Sequence, residues 1–188
     1  MPMISQKLRL INRNQMGFTL IELVVAIAIS GVITGAITTT IFQVIESSAR
    51  TNNHMTAVRQ VQSAGYWVSH DVLMAQEVEL ADEAVDDPDG TRFPFTLTWT
   101  EWDTNKVIQV VYSLDGNNFH RTRTTNPGEP SETTSEAIIA EFIDPASANT
   151  KCEFTDGKLT FTVTATMGAG SQEQSETRTY EVVPRPGS

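Results

Sequence analysis

The sequence predicts an α+β chain. A long N-terminal α-helix, transmembrane in its first half and amphipathic in its second, packs on an antiparallel β-sheet head. Three observations carry this. From Leu23 to Phe42, twenty residues run without a charge; at ~1.5 Å per residue they cover ~30 Å, the hydrocarbon thickness of a bilayer. Further on, Val58, Val61, Gly65, Val68, Val72 and Ala75 recur every three or four positions, with Met55 and Val78 extending the series. That is the period of one helical face. Beyond residue 93 the chain breaks into short runs of alternating apolar and polar residues between Gly-, Pro-, Asn- and Asp-rich turns, the pattern of antiparallel strands with one covered face.

Taken in order, residues 1–17 are a polar leader with Lys7, Arg9 and Arg13 and no acid. The positive-inside bias holds this end in the cytoplasm and sends the C-terminal part outside. A cleaved secretory signal has a shorter apolar core, ~7–15 residues, closed by a small-residue site. Here the run is longer and no Ala-x-Ala sequence closes it. The expectation is a retained single-pass helix over 18–45 and an extracytoplasmic head over 46–188. Within the run, Gly31 and Gly35 have the spacing that lets membrane helices approach closely. Thr38, Thr39 and Thr40 make the adjoining stretch the softest part of the helix.

The amphipathic half is expected over residues 46–80, with Arg59, Gln60, Gln62, Ser63, Ser69 and Asp71 on its polar side and Tyr66 and Trp67 as core anchors. Unbroken from Phe18 to Leu80, the helix is ~95 Å long. Residues 82–94 carry five acids, Pro88, Gly90 and Pro94 and read as a loop. The sheet region covers 93–184. Phe95–Trp102 alternates; 106–114 and 119–125 form a hairpin about Asp115-Gly-Asn-Asn118; 126–136 is loop. Residues 137–143 are a short apolar segment, 158–167 alternate cleanly, and 177–183 close the sheet before Pro184 and Pro186.

The chain carries a formal charge of −10; without the leader's three cations the remainder stands at −13. So acidic an exterior repels phosphate backbones and excludes bulk nucleic-acid binding. Cys152 is the only cysteine, so no internal disulfide forms, and a small buried thiol is expected. Ser69-His70-Asp71 sets three catalytic residue types side by side, but consecutive helical residues diverge and form no relay. His54, His70 and His120 lack metal-ligand spacing. Glu83, Asp86, Asp87 and Asp89 lack the alternating ligand pattern of a calcium loop and read as a solvated turn. Arg121, Arg123 and Lys106 are expected to pair with local carboxylates. No catalytic residue, cofactor or metal is expected.

Glu22 stands out because it sits where the apolar helix begins. A carboxylate in a membrane segment costs ~2.5–3.5 kcal/mol at mid-helix and needs a partner unless it snorkels to the interface. The stretch Gly17-Phe18-Thr19-Leu20-Ile21-Glu22 followed by the apolar run resembles the N-terminal methylation motif of type IV prepilins and type II secretion pseudopilins. The resemblance is specific over residues 13–45 and implies a pilin-like head. It also implies cleavage by a prepilin peptidase between Gly17 and Phe18, methylation of the Phe18 amine, and pairing of Glu22 with a neighbouring subunit's amine.

The implied partners are that peptidase, other pilin or pseudopilin subunits and an inner-membrane assembly platform. Gln15-Met16 stands where the family often has a basic residue, and the chain lacks a helix proline and a C-terminal disulfide loop. The two absences favour a minor pilin or pseudopilin over a major pilin, and Val68–Ala75, Arg121 and Tyr180–Arg185 look like the W/J type. The alternative is a single-pass anchored protein whose head binds an extracellular ligand without polymerising.

Overall fold

A computed structural model of the chain describes residues 17–81 and 90–185. Most of the leader and the acidic loop with its calcium candidates lie outside the described residues. The chain divides into two compact units, Met1–Ile45 and Glu46–Ser188.

One helix, α1 (Leu20–Met74), supplies the described secondary structure of the first unit and opens the second. In the first unit every described residue is exposed. An 18-residue window there has a mean hydropathy of 2.3, long and apolar enough to cross a membrane. The threonine run does not interrupt the helix. Thr38, Thr39 and Thr40 donate their hydroxyls to the carbonyls of Thr34, Gly35 and Ala36 at 2.7–2.9 Å, so no polar hydrogen is left facing an apolar surrounding.

In the second unit α1 buries Ala57, Val61, Ala64, Val68 and Val72. Two antiparallel sheets cover this face. The first is a five-stranded meander of β1 (Glu77–Leu80), β2 (Phe95–Thr100), β3 (Val107–Asp115), β4 (Asn118–Thr125) and β5 (Thr133–Ala140), in that spatial order. The second is three-stranded: β6 (Lys151–Thr155), β7 (Lys158–Met167) and β8 (Gln174–Val182). A ladder of rings joins them: Phe95 on Tyr112, Tyr112 on Phe119, and Phe119 on Phe161, with centroids 4.9–5.5 Å apart. Such pairs contribute ~0.5–1.5 kcal/mol beyond their buried area.

The α+β architecture is as expected, but several elements differ in detail. The helix stops at Met74, not near residue 80. Ala75 already faces the core, and the chain then turns to pair with β2: Gln76 N–H donates to the Thr98 carbonyl at 2.9 Å, and the Gln76 side chain accepts from Thr100 N–H at 3.1 Å. The expected single sheet is two, because β5 ends at a turn through Phe142, held at φ 60°. Ile143 then bridges to Ala165 of β7. Strand β6 stands where none was expected, β5 starts at Thr133 inside the expected loop, and Trp102 lies beyond β2 and is 93% exposed.

Tyr66 and Trp67 are not core anchors. They are 63% and 36% exposed, whereas Asp71, expected on the polar side, is 1% exposed. Small residues make this close approach possible: a Cβ on Gly65 would lie 2.0 Å from the Tyr180 ring, whose hydroxyl donates to the Val61 carbonyl at 3.1 Å.

Candidate processing and assembly site

Gly17, Phe18 and Thr19 precede the helix and are not helical. Phe18 is 84% exposed. The expected cleavage bond, Gly17–Phe18, therefore lies in non-helical chain just ahead of the first turn.

Thr19 makes that boundary. Its N–H and its hydroxyl both donate to Glu22 Oε2, at 2.9 and 2.8 Å, and its Oγ1 accepts from Glu22 N–H at 3.3 Å. This is a reciprocal capping box: residue and carboxylate three apart satisfy each other's free amides at a helix start. The carboxylate also sits at the positive end of the helix dipole. Glu22 thus has a partner inside its own chain. Sequence reasoning overlooked this, although Thr-x-x-Glu before an apolar run is the signal for it.

Gly31 and Gly35 lie on the exposed face of α1, and a Cβ at either would meet nothing within 4 Å. With Ala26, Ile27, Ser30 and Phe42 they line a shallow open groove along the helix. The two glycines leave the backbone accessible to a neighbour.

A separate polar cluster lies in the second unit. Asp71 accepts from Arg121 Nε at 2.7 Å, Arg121 Nη2 at 3.1 Å and the Tyr112 hydroxyl at 2.6 Å. Arg121 also lies over the Trp67 ring, 4.8 Å from its centre. Burial pushes the Tyr112 phenol far above its ordinary range, and the Asp71 charge adds to this. For Arg121, burial disfavours the cation, but the hydrogen bonds and charge of Asp71 outweigh it and raise the pKa. The Arg121 expectation therefore holds, with Asp71 as its carboxylate, and Arg123 likewise pairs with Glu101 at 3.2 Å.

His70 touches Asp71 at 3.4 Å but is exposed, and Asp71 is fully engaged by Arg121 and Tyr112; the three adjacent residues form no relay. Burial pushes the Cys152 thiol well up, with Glu153 adding to the effect, so the sulfur stays protonated and inert. Among the described residues, no group of three or more His, Cys, Asp or Glu could hold a metal ion.

No curated protein and no solved structure matches the chain. Residues 12–38 match a family described as the prokaryotic N-terminal methylation motif. The match spans the Gly17–Phe18 bond, the capping box and both helix glycines. The chain therefore carries a prepilin-type N-terminal motif, which implies processing by a prepilin peptidase and association with a membrane.

Proposed function

We propose that this chain is a structural filament subunit, a minor pilin or pseudopilin of a type IV pilus or type II secretion-like filament, and not an enzyme. One observation carries the reading: the methylation motif over residues 12–38 opens an apolar helix whose surface is uncovered in the single chain. Prepilin peptidase cuts between Gly17 and Phe18, and the new Phe18 amine is methylated. Before assembly the helix holds the protein in the cytoplasmic membrane with its N-terminus inside and its head outside, beside the assembly platform.

In the filament the same apolar surface is buried against neighbouring helices, and Gly31 and Gly35 let those backbones close. Glu22 neutralises the Phe18 amine of an adjacent subunit, an attraction strengthened where water is excluded. Within the family, the W/J type fits best, on Val68–Ala75, Arg121 and Tyr180–Arg185.

Intact-mass and N-terminal peptide analysis of the protein from its native host tests this. The expected product begins at Phe18 and carries one added methyl group. A leader still attached in the mature protein overturns the reading and leaves a single-pass anchored binding protein.

A further inference from the structure

The two sheets have four outer strands: β1 and β5 in one, β6 and β8 in the other. An outer strand carries a row of backbone N–H and C=O groups without a strand partner, and proteins cover such a row or blunt it with Pro, Lys or unpaired charge. Strands β1 and β6 lie beside each other. They border one cavity through Val78, Leu80, Lys151 and Glu153, and Cys152 N–H of β6 donates to the Thr91 carbonyl at 3.0 Å. Strands β5 and β8 are different. Among the described residues, no backbone hydrogen bond from outside their sheets reaches β8, or β5 before Ile139. Neither strand contains Pro or Lys. Residues 133–138 are all exposed, as are Ser175, Thr177, Thr179 and Glu181. Their charges are taken up within their own sheets: Glu136 by His120 at 3.0 Å, Glu176 by Arg178 at 3.1 Å and Glu181 by Lys158 at 2.9 Å.

The directions of these two strands are complementary. Along β8 the contacts advance with α1. Gln172, just before the strand, accepts from Asn53 at 2.9 Å, and Tyr180, further on, donates to the Val61 carbonyl and closes on Gly65. Along β5 the contacts run back. Ala137 stands in register with Arg121, which holds Asp71; the Ile139 carbonyl accepts from Ser63 at 2.6 Å; Glu141 N–H donates to Gln60 at 2.8 Å. So β8 runs with α1 and β5 runs against it. They also lie on opposite flanks of the buried stripe. At ~100° per residue, Gln60 and Ser63 fall to one side of Ala64 and Val68, and Gly65 falls to the other. Two copies with this part of α1 parallel therefore bring β8 of one towards β5 of the next in antiparallel sense. Every strand pair within the head is already antiparallel, and the two strands match in length, with eight and nine residues.

We propose that β8 of one copy pairs antiparallel with β5 of a second copy and joins their sheets edge to edge, a strand-addition contact. It is head-to-tail, so each end of the array keeps an open edge and the array extends. The inference rests on the filament-subunit reading for the parallel helices, and adds that copies of this chain stand next to one another.

The test uses the full chain in its native host. Two differently tagged forms are expressed together. One carries Ser175→Cys, Thr177→Cys, Thr179→Cys or Glu181→Cys; the other carries Thr134→Cys, Glu136→Cys or Ile138→Cys. The chain with only its buried Cys152 is the blank. A disulfide needs Cα atoms ~4.4–6.8 Å apart, which admits residues directly opposite and excludes the next pair along the same face. Under mild oxidation a linked pair should give at least tenfold more mixed dimer than its neighbours. Each step of two back along β8 should move the linked β5 position two forward, the signature of antiparallel pairing. Neither form alone should dimerise. Equal yields from all pairs overturn the proposal, as do a linked position that moves the same way along both strands, a dimer of the β8 form alone, and no dimer at all. Resistance to limited proteolysis checks that each variant is folded. Cut and uncut chains separate on the same gel, so an uncut leader, which sinks the filament reading, is read apart from a cut chain that fails to link, which sinks this contact alone.

Discussion

Asp71 shows what a single residue does in this fold. Its position between Val68 and Val72 puts it at the margin of the apolar face, where a carboxylate would ordinarily be costly. Arg121 and Tyr112 satisfy it with three hydrogen bonds, and the Trp67 ring shields the guanidinium. Removing one partner of such a set leaves a buried charge uncompensated, at a cost of ~3–5 kcal/mol. Asp71→Ala should therefore lower the unfolding free energy of the detergent-solubilised chain by that much, read as a lower denaturant midpoint at unchanged slope. Replacing Asp71, Arg121 and Tyr112 together by apolar residues of similar volume should recover most of it. A midpoint unchanged by Asp71→Ala would show that the cluster does not hold helix to sheet. The sequence marked Arg121 as a cation seeking a carboxylate, but not which one. The partner lies fifty positions away, and no local spacing links a helix residue to a strand residue at that distance. Tyr66 and Trp67 were misread for a related reason. Ring size suggested burial, while the helix phase set by Ala57, Val61 and Val68 turns them outward.

At the scale of elements, α1 was the most legible feature because its periodicity runs for many turns and needs no distant partner. The hairpin joining β3 and β4 was also readable, since Gly116 with φ 57° sits in the two-residue turn between Asp115 and Asn118. Strand β6 had an equally good signal that went unused: Asp156-Gly157, with φ 54° and 74°, joins Thr155 to Lys158, and that dipeptide is a strong marker of a hairpin. The division into two sheets was not legible, because it depends on Phe142 turning the chain and on Ile143 finding Ala165. Gly65 makes the clearest prediction at this scale. In an exposed helix, Gly→Ala gains ~1 kcal/mol of helix propensity. Here the methyl would overlap the Tyr180 ring, which Phe161 and the Val61 carbonyl hold in place, and overpacking of this kind costs ~1–3 kcal/mol. Gly65→Ala should therefore lower the melting temperature, and adding Tyr180→Ala should bring back part of the loss through a favourable coupling. A raised melting temperature in the single variant would mean that the helix–β8 contact has room for a methyl group.

For the whole molecule, the decisive question is what Glu22 does, because two partners compete for it. One is Thr19, three residues away and already bonded. The other, in the filament reading, is the Phe18 amine of another subunit, which exists only after cleavage. A helix cap tolerates Gln as well as Glu at this position, whereas a charge pair does not. The two substitutions therefore separate the roles. Glu22→Ala removes both the cap and the charge; Glu22→Gln retains the cap and removes only the charge. If the carboxylate acts by pairing with an amine, both variants should be cut by prepilin peptidase, and both should enter filaments at least tenfold less than wild type, the loss expected when a charge-assisted contact of ~1.5–3 kcal/mol disappears. If it acts by starting the helix, Gln should incorporate normally and Ala alone should fail. Counting each variant in purified filaments against the processed pool in the membrane distinguishes the two, and normal incorporation of Glu22→Gln would remove the amine from the account of assembly. The capping box then takes on a definite meaning in the pairing case. Before cleavage it gives the carboxylate hydrogen-bond donors inside the bilayer and keeps the helix start fixed beside the bond to be cut. After cleavage the stronger cationic donor can displace it without unwinding the helix, because the Thr19 hydroxyl still accepts the Glu22 amide hydrogen.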